Sequence, residues 1–476
     1  MNFRLMTLIC ILALTAARCP AQPDFSLSAA PVTPAAADPA IAHALQNIQP
    51  QRIQETINKL VSFGNRSTLS SMETALPPET GITAAADWIA AEFDQISHDC
   101  SGCLEVHRDT FTQPVSDRVP QPTTITNIYA VLRGTDPVQA KRMFLVTGHY
   151  DSRNSDNFNA RDPAPGANDD ASGVAVSLEC ARALTKLRFP ATLVFVAVAG
   201  EEQGLYGSAH LAKLARSEGW QLEAVLNNDI VGGNTTPGET LQLKDRVRVF
   251  SEGIPSAATP EQERRIRALG GENDSPSRQL ARAIADVARS YFSGAAPGDH
   301  FAPFLVARPD RYLRGGDHSS FNREGFAAVR FTEWREDFNH QHQNVVRPPS
   351  GSGDPVLGDL PEFVDFNYVA KVARLNAATL ATLAAAPGAP GKVAIVTEKL
   401  ENGTTLRWEP PAGASAVHYE LLWRETTAPD WQFVQLVRQP AAAGPITVSV
   451  PVSKDNVIFG VRSVDAAGHR SLVAVP

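Results

Sequence analysis

Residues 192–204, TLVFVAVAGEEQG, contain the pattern that decides the fold. The apolar run from Thr192 to Ala199 is rich in valine and predicts a strand. A glycine ends the run, and two adjacent glutamates, Glu201 and Glu202, follow it directly. Packing does not explain two carboxylates at the mouth of such an apolar strand, although a solvated charged turn would. This strand end is therefore a candidate site.

Strand and helix patterns alternate on both sides of this run. Such alternation predicts an α/β fold with a mixed, mostly parallel sheet and helices on both of its faces. The other strand patterns cover residues 125–132, 142–147 and 222–226, and the helical patterns include 171–187 and 208–216. The strands at 125–132 and 142–147 are too close in sequence for a helical crossover, so we expect them to form a hairpin.

The chain is long enough for two or three domains, because it has 476 residues. Residues 43–385 hold the α/β pattern and predict one domain. Residues 386–391, rich in proline and glycine, break the last helical pattern and predict a linker. Short strands separated by turns then fill residues 392–476 and predict a small β-sandwich.

The N-terminus has the features of a secretory signal. Arg4 is followed by a short apolar run and then by small residues, which predicts a signal peptide in residues 1–21, cleaved after Ala17 or Ala21. The run is too short to anchor the chain across a bilayer. Residues 22–42 are rich in alanine and proline and predict a flexible leader. A secreted or periplasmic location follows.

Export places the cysteines in an oxidising compartment. The motif from Cys100 to Cys103 is a C-x-x-C, which suits a redox pair, half of a zinc site or a local disulfide. Since the chain has no second C-x-x-C, a four-cysteine zinc site is excluded, and we expect a disulfide. Cys180 lies on an apolar helical stripe and is expected to be a buried free thiol.

The composition excludes several classes of partner. Lys and Arg number 43 against 51 Asp and Glu, which gives a formal charge of −8. An acidic protein without basic tracts gives no reason to expect nucleic acid or a polybasic membrane anchor. Hydrophobic residues make up 43% and charged residues 20%, as in ordinary globular proteins.

Five further positions share the placement of the glutamate pair, because each lies at a strand end or in a turn. Any one of them is explained equally well as a helix cap or a turn residue. Together they form an ordered set of histidines and carboxylates at the carboxyl ends of strands, where open α/β sheets build their sites. Nitrogen and oxygen donors without thiolate suit two zinc ions bridged by a carboxylate. The positions are His149, Asp169, Asp229 and His318, with Asp151 next to the first.

This set resembles the co-catalytic di-zinc peptidases, which include bacterial leucyl-type aminopeptidases and the peptidase domain of glutamate carboxypeptidase II. The resemblance covers about residues 50–385 and rests on these motifs: His149-x-Asp151, Asn168-Asp169-Asp170-Ala171-Ser172-Gly173, Glu201-Glu202-x-Gly204, Asn228-Asp229 and Asp317-His318. Residues 392–476 resemble a fibronectin type III domain, with a Trp in the second strand and an aromatic-rich third strand.

The resemblance implies a role for each residue. Asp169 would bridge two zinc ions, with His149 and Asp229 at one ion and Glu202 and His318 at the other. Glu201 would be the general base, and Asp151 would orient the ring of His149. The substrates would be peptides, and the terminal domain would serve attachment to a surface or polymer. Since all these residues precede the linker, we expect a chain cut after Gly388 to remain active.

Three alternatives stay open at this point. A carboxypeptidase of the same family would hold a free carboxylate with arginines such as Arg311, Arg314, Arg330 or Arg335. A single-zinc glutaminyl cyclase has the same fold, and a receptor-like module would bind no metal. We favour an aminopeptidase, because Asp317 precedes His318 as in the leucyl-type members and because carboxylates around the site suit a free α-amine.

Overall fold

The computed structural model describes residues 29–294, 300–398, 400–413, 416–441 and 444–476. In these ranges short 3-10 turns lie at Thr68–Met72, Gln139–Lys141 and Pro361–Phe363. The α-helices of the described residues are α1 (Pro39–Leu45), α2 (Pro50–Ser62), α3 (Gly81–Asp99), α4 (Ala171–Leu184), α5 (Glu201–Gly204), α6 (Tyr206–Ser217), α7 (Pro260–Ala268), α8 (Pro276–Tyr291), α9 (His318–Arg323) and α10 (Phe366–Ala385).

A large mixed sheet forms the centre of the molecule. The order of its strands is β2-β3-β5-β4-β6-β9-β7-β8. The four neighbours β5, β4, β6 and β9 run parallel to one another. The fold class predicted from the sequence, a mixed sheet flanked by helices, is confirmed. The strands are β2 (Leu104–Gln113), β3 (Thr123–Leu132), β4 (Arg142–His149), β5 (Thr192–Val198), β6 (Gln221–Asn228), β7 (Arg246–Ser251), β8 (Ala302–Val306) and β9 (Ala328–Thr332).

The predicted hairpin between β3 and β4 is wrong, because β5 lies between them. β3 pairs antiparallel with β5, and β4 pairs parallel with β5 on its other edge. Every residue of β5 is buried, so the backbone groups on both of its edges need partners within the sheet. The segment between β3 and β4 contains a 3-10 turn at Gln139–Lys141 instead of a tight hairpin turn.

Alternate residues of β5 serve two separate cores, as the pleat of a strand requires. Leu193 and Phe195 belong to the larger core, formed with α2, α3, α4, α8 and α10. Val194 and Val196 belong to a smaller core on the opposite face, formed with α6 and α9. The helices therefore cover both faces, and the strand ends are left to build a site at the edge of the sheet.

The C-terminal strands form a β-sandwich. One sheet has the order β1-β13-β12-β15 and the other β10-β11-β14. Trp408 and Trp423 come from different sheets and are fully buried in the core between them. The likeness to fibronectin type III stays a prediction. The strands are β10 (Gly391–Ile395), β11 (Thr404–Glu409), β12 (His418–Glu425), β13 (Phe433–Arg438), β14 (Ile446–Val450) and β15 (Val457–Val464).

The first described residues belong to this sandwich and not to a flexible leader. Strand β1 (Ala30–Pro31) pairs antiparallel with β13, so it adds an edge strand from the other end of the chain. Helix α1 then begins at Pro39, capped by the side chain of Asp38. The prediction of a flexible leader over residues 22–42 is wrong for these residues, because backbone pairing and a cap hold them in place.

Residues 386–390 are also packed, where a free linker was predicted. Ala386 is fully buried, and its carbonyl accepts a hydrogen bond of 2.8 Å from the guanidinium of Arg142. The connection to the C-terminal strands is therefore short and fixed to the α/β part of the chain.

The predicted signal peptide, residues 1–21, lies outside the described residues. Among the helices that are described, none combines the length and the apolar character needed to cross a membrane. Cys100 and Cys103 are joined by a disulfide with an S–S distance of 2.02 Å, and Cys180 is a buried free thiol.

Candidate active site

The carboxyl ends of the central parallel strands bring the acidic and histidine residues together. His149 is the last residue of β4, Glu201 and Glu202 follow β5, and Asp229 follows β6. Since β5, β4 and β6 are parallel neighbours, these residues lie at the same edge of the sheet. All but Glu201 are buried, and Glu201 is partly buried.

The loop before α4 brings Asp169 to this edge. The neighbouring Asp170 caps the helix by accepting the backbone N–H of Gly173, and it also accepts the backbone N–H of His149 at 3.0 Å. Helix and strand approach so closely that a Cβ on Gly148 would lie 2.5 Å from the carbonyl carbon of Gly173. Two glycines are needed here because any side chain would separate the helix end from the strand end.

Asp169 directs its two oxygens at two different histidines. Oδ1 lies 3.1 Å from Nε2 of His149, and Oδ2 lies 2.9 Å from Nε2 of His342. His342 also lies 3.1 Å from Oε2 of Glu202. Two groups of metal-ligand atoms result, each within 4.8 Å of one another. They are His149, Glu201 and Asp229 in one group and Asp169, Glu202 and His342 in the other.

The structure departs from the sequence analysis at His318, which belongs to neither group. Its Nε2 lies 2.7 Å from the carbonyl oxygen of Pro309 and 3.8 Å from Oδ2 of Asp310. His318 is the first residue of α9, and Pro309 in the loop before the helix holds its ring in place. His342, on the irregular segment between β9 and α10, occupies the place predicted for His318.

A signal for His342 was present in the sequence. His340 and His342 follow β9 and belong to a chain with only 11 histidines. His340 stacks on Phe363 with ring centroids 3.7 Å apart, so only His342 faces the carboxylates. Its backbone has a φ of 55°, the left-handed region that non-glycine residues rarely adopt. No strand pattern marks this segment, and the sequence could not place it.

Asp151 lies where an orienting carboxylate is expected. Its Oδ1 is 3.4 Å from Nδ1 of His149, while Nε2 of the same ring faces Asp169. Asp151 also accepts a hydrogen bond from the hydroxyl of Thr68 and one from the backbone N–H of Glu202, each at 3.1 Å. The carboxylate is thus fixed on several sides and can hold the imidazole in one orientation.

Glu201 and Glu202 begin a short helix directly after the strand. Gly200 turns the chain with a φ of 79°, and α5 starts at Glu201. Consecutive helical side chains point about 100° apart, so the two carboxylates still diverge. Glu201 lies with His149 and Asp229, and Glu202 with Asp169 and His342.

Burial and charge act against each other at these groups. Burial alone would raise the pKa of Asp169, but hydrogen bonds with His149 and His342 hold it well below its ordinary value. Burial alone would lower the pKa of His342, but Glu202 and Asp169 raise it to about 10. Burial raises the pKa of Glu201 well above its ordinary value, with Asp229 adding to the rise. Carboxylates grouped in this way favour a positively charged ligand beside them.

The residues present fit a bound metal. Oε1 of Glu202 is buried without any hydrogen-bond partner among the described residues. Buried polar atoms are nearly always satisfied, so unpaired ones facing a carboxylate cluster indicate a ligand. Imidazole nitrogens and carboxylate oxygens without thiolate are donors that suit zinc.

Sequence reasoning missed Arg66, which supports this site from behind. Its side chain is fully buried and donates to the carbonyl oxygens of Tyr150 at 2.7 Å, Pro165 at 2.6 Å and Gly166 at 2.8 Å. It therefore ties the loop after His149 to the loop before Asp169. An arginine that contacts only backbone carbonyls leaves no sequence motif.

Asp359 also supports the loop that bears Asp169. Its carboxylate accepts the backbone N–H of Asn168 at 2.8 Å and that of Asp169 at 2.7 Å. It lies far along the chain, so only the tertiary structure shows this contact.

The fold and this donor set define a metal-dependent hydrolase built on an open α/β sheet. The model of Peptidase family M28 matches residues 127–351. A probable zinc metalloprotease of Pyricularia oryzae is 46% identical over 442 residues, which covers 91% of this chain and 83% of that protein. A second probable zinc metalloprotease, from Leptosphaeria maculans, is 42% identical over 433 residues, which covers 91% of this chain and 95% of that protein. The chain therefore belongs to peptidase family M28 and is a zinc metallopeptidase.

The LapA aminopeptidase of Legionella pneumophila aligns with a TM-score of 0.48 at 18% identity, over 72% of this chain and 74% of that chain.

Proposed function

We propose that the protein is an exported aminopeptidase that holds two zinc ions and hydrolyses the first peptide bond of its substrates. The observation that carries the proposal is the position of Asp169, whose two oxygens face His149 and His342 in two separate groups of ligands. A carboxylate in this position is suited to bridge two cations.

Five residues would hold the metal. His149 and Asp229 would bind one ion, Glu202 and His342 the other, and Asp169 both, so that His342 replaces His318 in the set expected from the sequence. Bound zinc would polarise the scissile carbonyl and make water a better nucleophile at neutral pH.

Glu201 is the proposed base. Its carboxylate would accept the proton of the attacking water and then donate a proton to the nitrogen of the departing amine. The burial that raises its pKa suits it to both steps. Asp151 would keep the ring of His149 in place throughout.

The preference for an amino terminus is supported by the charge of the site. Four carboxylates line a cleft of about 470 Å³, and an α-ammonium group would find a counter-charge beside them. They are Asp169, Glu201, Glu202 and Asp229.

The remaining proposals concern the rest of the chain. Residues 1–21 would act as a signal peptide, which makes the enzyme secreted or periplasmic. Residues 43–385 would form the peptidase domain, and residues 392–476 a fibronectin type III-like domain for attachment to a surface or polymer. Nucleic acid and membrane are not expected partners.

Metal analysis and a substrate panel would test the function. The purified mature protein should contain about two zinc ions and should cleave peptides with a free amino terminus faster than the same peptides with a blocked one. Preference for N-blocked dipeptides would indicate a carboxypeptidase. One zinc ion with cyclisation of N-terminal glutamine would indicate a glutaminyl cyclase, and absence of metal a receptor-like module.

A further inference from the structure

The cleft beside the metal-ligand groups contains four arginines, and their partners distinguish them. Arg153 pairs with Glu202 at 3.1 Å, and Arg311 and Arg314 both pair with the buried Glu336, at 2.7 Å and 3.2 Å. The fourth is Arg118. It donates to the backbone carbonyl of Glu202 at 3.1 Å, and among the described residues no carboxylate pairs with it, the neighbouring Asp117 included.

Arg118 is exposed, but the turn that bears it is anchored. On one side, Ser116 receives a hydrogen bond of 2.7 Å from the hydroxyl of Tyr206. On the other, Val119 is fully buried in a small cluster with Leu69. Backbone hydrogen bonds between Ser116 and Val119, of 2.9 and 3.1 Å, close the turn.

The contact with Glu202 fixes where the guanidinium lies. Glu202 is one of the proposed metal ligands, so this contact places Arg118 in the cleft beside the proposed metal site. An arginine has five N–H donors in a planar fork, and one contact leaves the others available for a carboxylate.

We propose that Arg118 binds a carboxylate of the substrate, so that the enzyme prefers short peptides with a negative charge just beyond the scissile bond. This inference rests on the proposed aminopeptidase function and deepens it. The carboxylate comes either from the C-terminus of a dipeptide or from an acidic side chain in the second residue. Both present the same planar anion to the guanidinium.

Matched peptides separate the two sources. The dipeptide Leu-Leu is compared with Leu-Leu-amide, which lacks the terminal charge. Leu-Glu-amide is compared with Leu-Gln-amide, which differs only in the side-chain charge. We expect the anionic member of at least one pair to have a kcat/KM about tenfold higher than its neutral partner, the range of a charge-assisted hydrogen bond.

Substitution then assigns the preference to Arg118. Arg118→Gln should abolish the ratio within the pair, mainly by raising the KM of the anionic peptide, whereas Arg118→Lys should keep part of the ratio. Arg407→Gln, which removes the same charge at an exposed position of the β-sandwich, serves as the matched control and should keep the full ratio.

Two results would overturn the inference. One is equal kcat/KM for the charged and neutral members of both pairs in the unmodified enzyme. The other is a preference that survives Arg118→Gln. Failure of the proposed function looks different, because then none of the four peptides is cleaved by zinc-loaded protein, or N-blocked dipeptides are cleaved in their place.

Discussion

Nε2 of His342 lies 2.9 Å from Oδ2 of Asp169, while Oδ1 of the same carboxylate faces His149. This relationship supports the proposal that His342 is the last histidine of the site. We predict that His342→Asn protein contains about one zinc ion fewer than the unmodified protein and loses activity. His318→Asn protein, measured per folded molecule, should keep its zinc, because Nε2 of His318 is engaged by the carbonyl of Pro309. The zinc content of both variants tests this prediction. Loss of zinc from the His318→Asn protein, with full zinc in the His342→Asn protein, would show that His318 is the ligand.

Substitutions of the two adjacent glutamates should have different effects on turnover and zinc content. Glu201→Gln keeps the shape and removes the base, so turnover should fall roughly a hundredfold to ten-thousandfold with the zinc content unchanged. Glu202→Gln removes a charged ligand beside His342, so the zinc content should fall. Turnover and metal content are measured on both purified proteins. Normal activity of the Glu201→Gln protein would disprove the assigned role.

Arg66 should stabilise the folded protein through the hydrogen bonds of its guanidinium group more than through its positive charge. Arg66→Met removes buried hydrogen bonds to several carbonyl oxygens, so the free energy of unfolding should fall by at least about 3 kcal/mol. Arg66→Lys should recover little of it, since an ammonium cannot reach the same oxygens as a planar fork. Chemical denaturation measures both. Arg407→Met at an exposed position is the control, and an equal loss there would refute the explanation.

The β-sandwich is attached more firmly than the sequence suggested. Nη2 of the buried Arg424 in β12 lies 2.8 and 2.7 Å from the two carboxylate oxygens of Asp274, and Arg462 of β15 lies 2.9 Å from Asp286 of α8. Cutting after Gly388 would leave both carboxylates of the peptidase side without these arginines. We therefore expect the shortened chain to melt at a lower temperature and to lose activity, contrary to the expectation from the sequence.

A point substitution tests the same interface without truncation. Arg424→Gln breaks a buried pair and should cost about 3 kcal/mol of the free energy of unfolding. The exposed Arg407→Gln should cost little. Unchanged stability of the Arg424→Gln protein, together with an active shortened chain, would show that the interface is dispensable.

The contact of His469 with Asp38 and Asp465 should stabilise the protein to a degree that depends on pH. Its ring lies 2.9 Å from Asp465 and 3.0 Å from Asp38, the residue that caps α1. The hydrogen bond with Asp465 chiefly raises the pKa of His469 above its ordinary value. Because this pKa is higher in the folded state than in the unfolded state, the protonated ring of His469 stabilises the folded protein. The stabilisation is complete below the unfolded pKa of about 6.5 and is lost as the pH rises through the folded pKa.

The measurement is the melting temperature of the unmodified protein and of His469→Gln at two pH values. The difference should be larger at about pH 5.5, below the unfolded pKa, than at a pH above the raised folded pKa, where the imidazole is neutral in both states. His98→Gln, at an exposed position, should show no such change. A difference that is the same at both pH values would mean that the charge of His469 plays no part.

The sequence by itself determined the class of fold and most of the site. Three apolar strand patterns end in candidate site residues, namely His149, the pair Glu201 and Glu202, and Asp229, and such patterns are local. The carboxyl ends of parallel strands meet at one edge of a sheet, so these residues were expected to lie together. The chemistry of the set follows from residue type alone.

Only the tertiary structure decided the position of β5 between β3 and β4 and the pairing of β1 with β13, and only the tertiary structure brings His342, instead of His318, beside Asp169 and Glu202. Each depends on contacts between residues distant in the chain, which local periodicity does not encode. A strand pattern shows which residues are buried but not which strand is its neighbour, and a histidine in an irregular segment has no periodicity to place it.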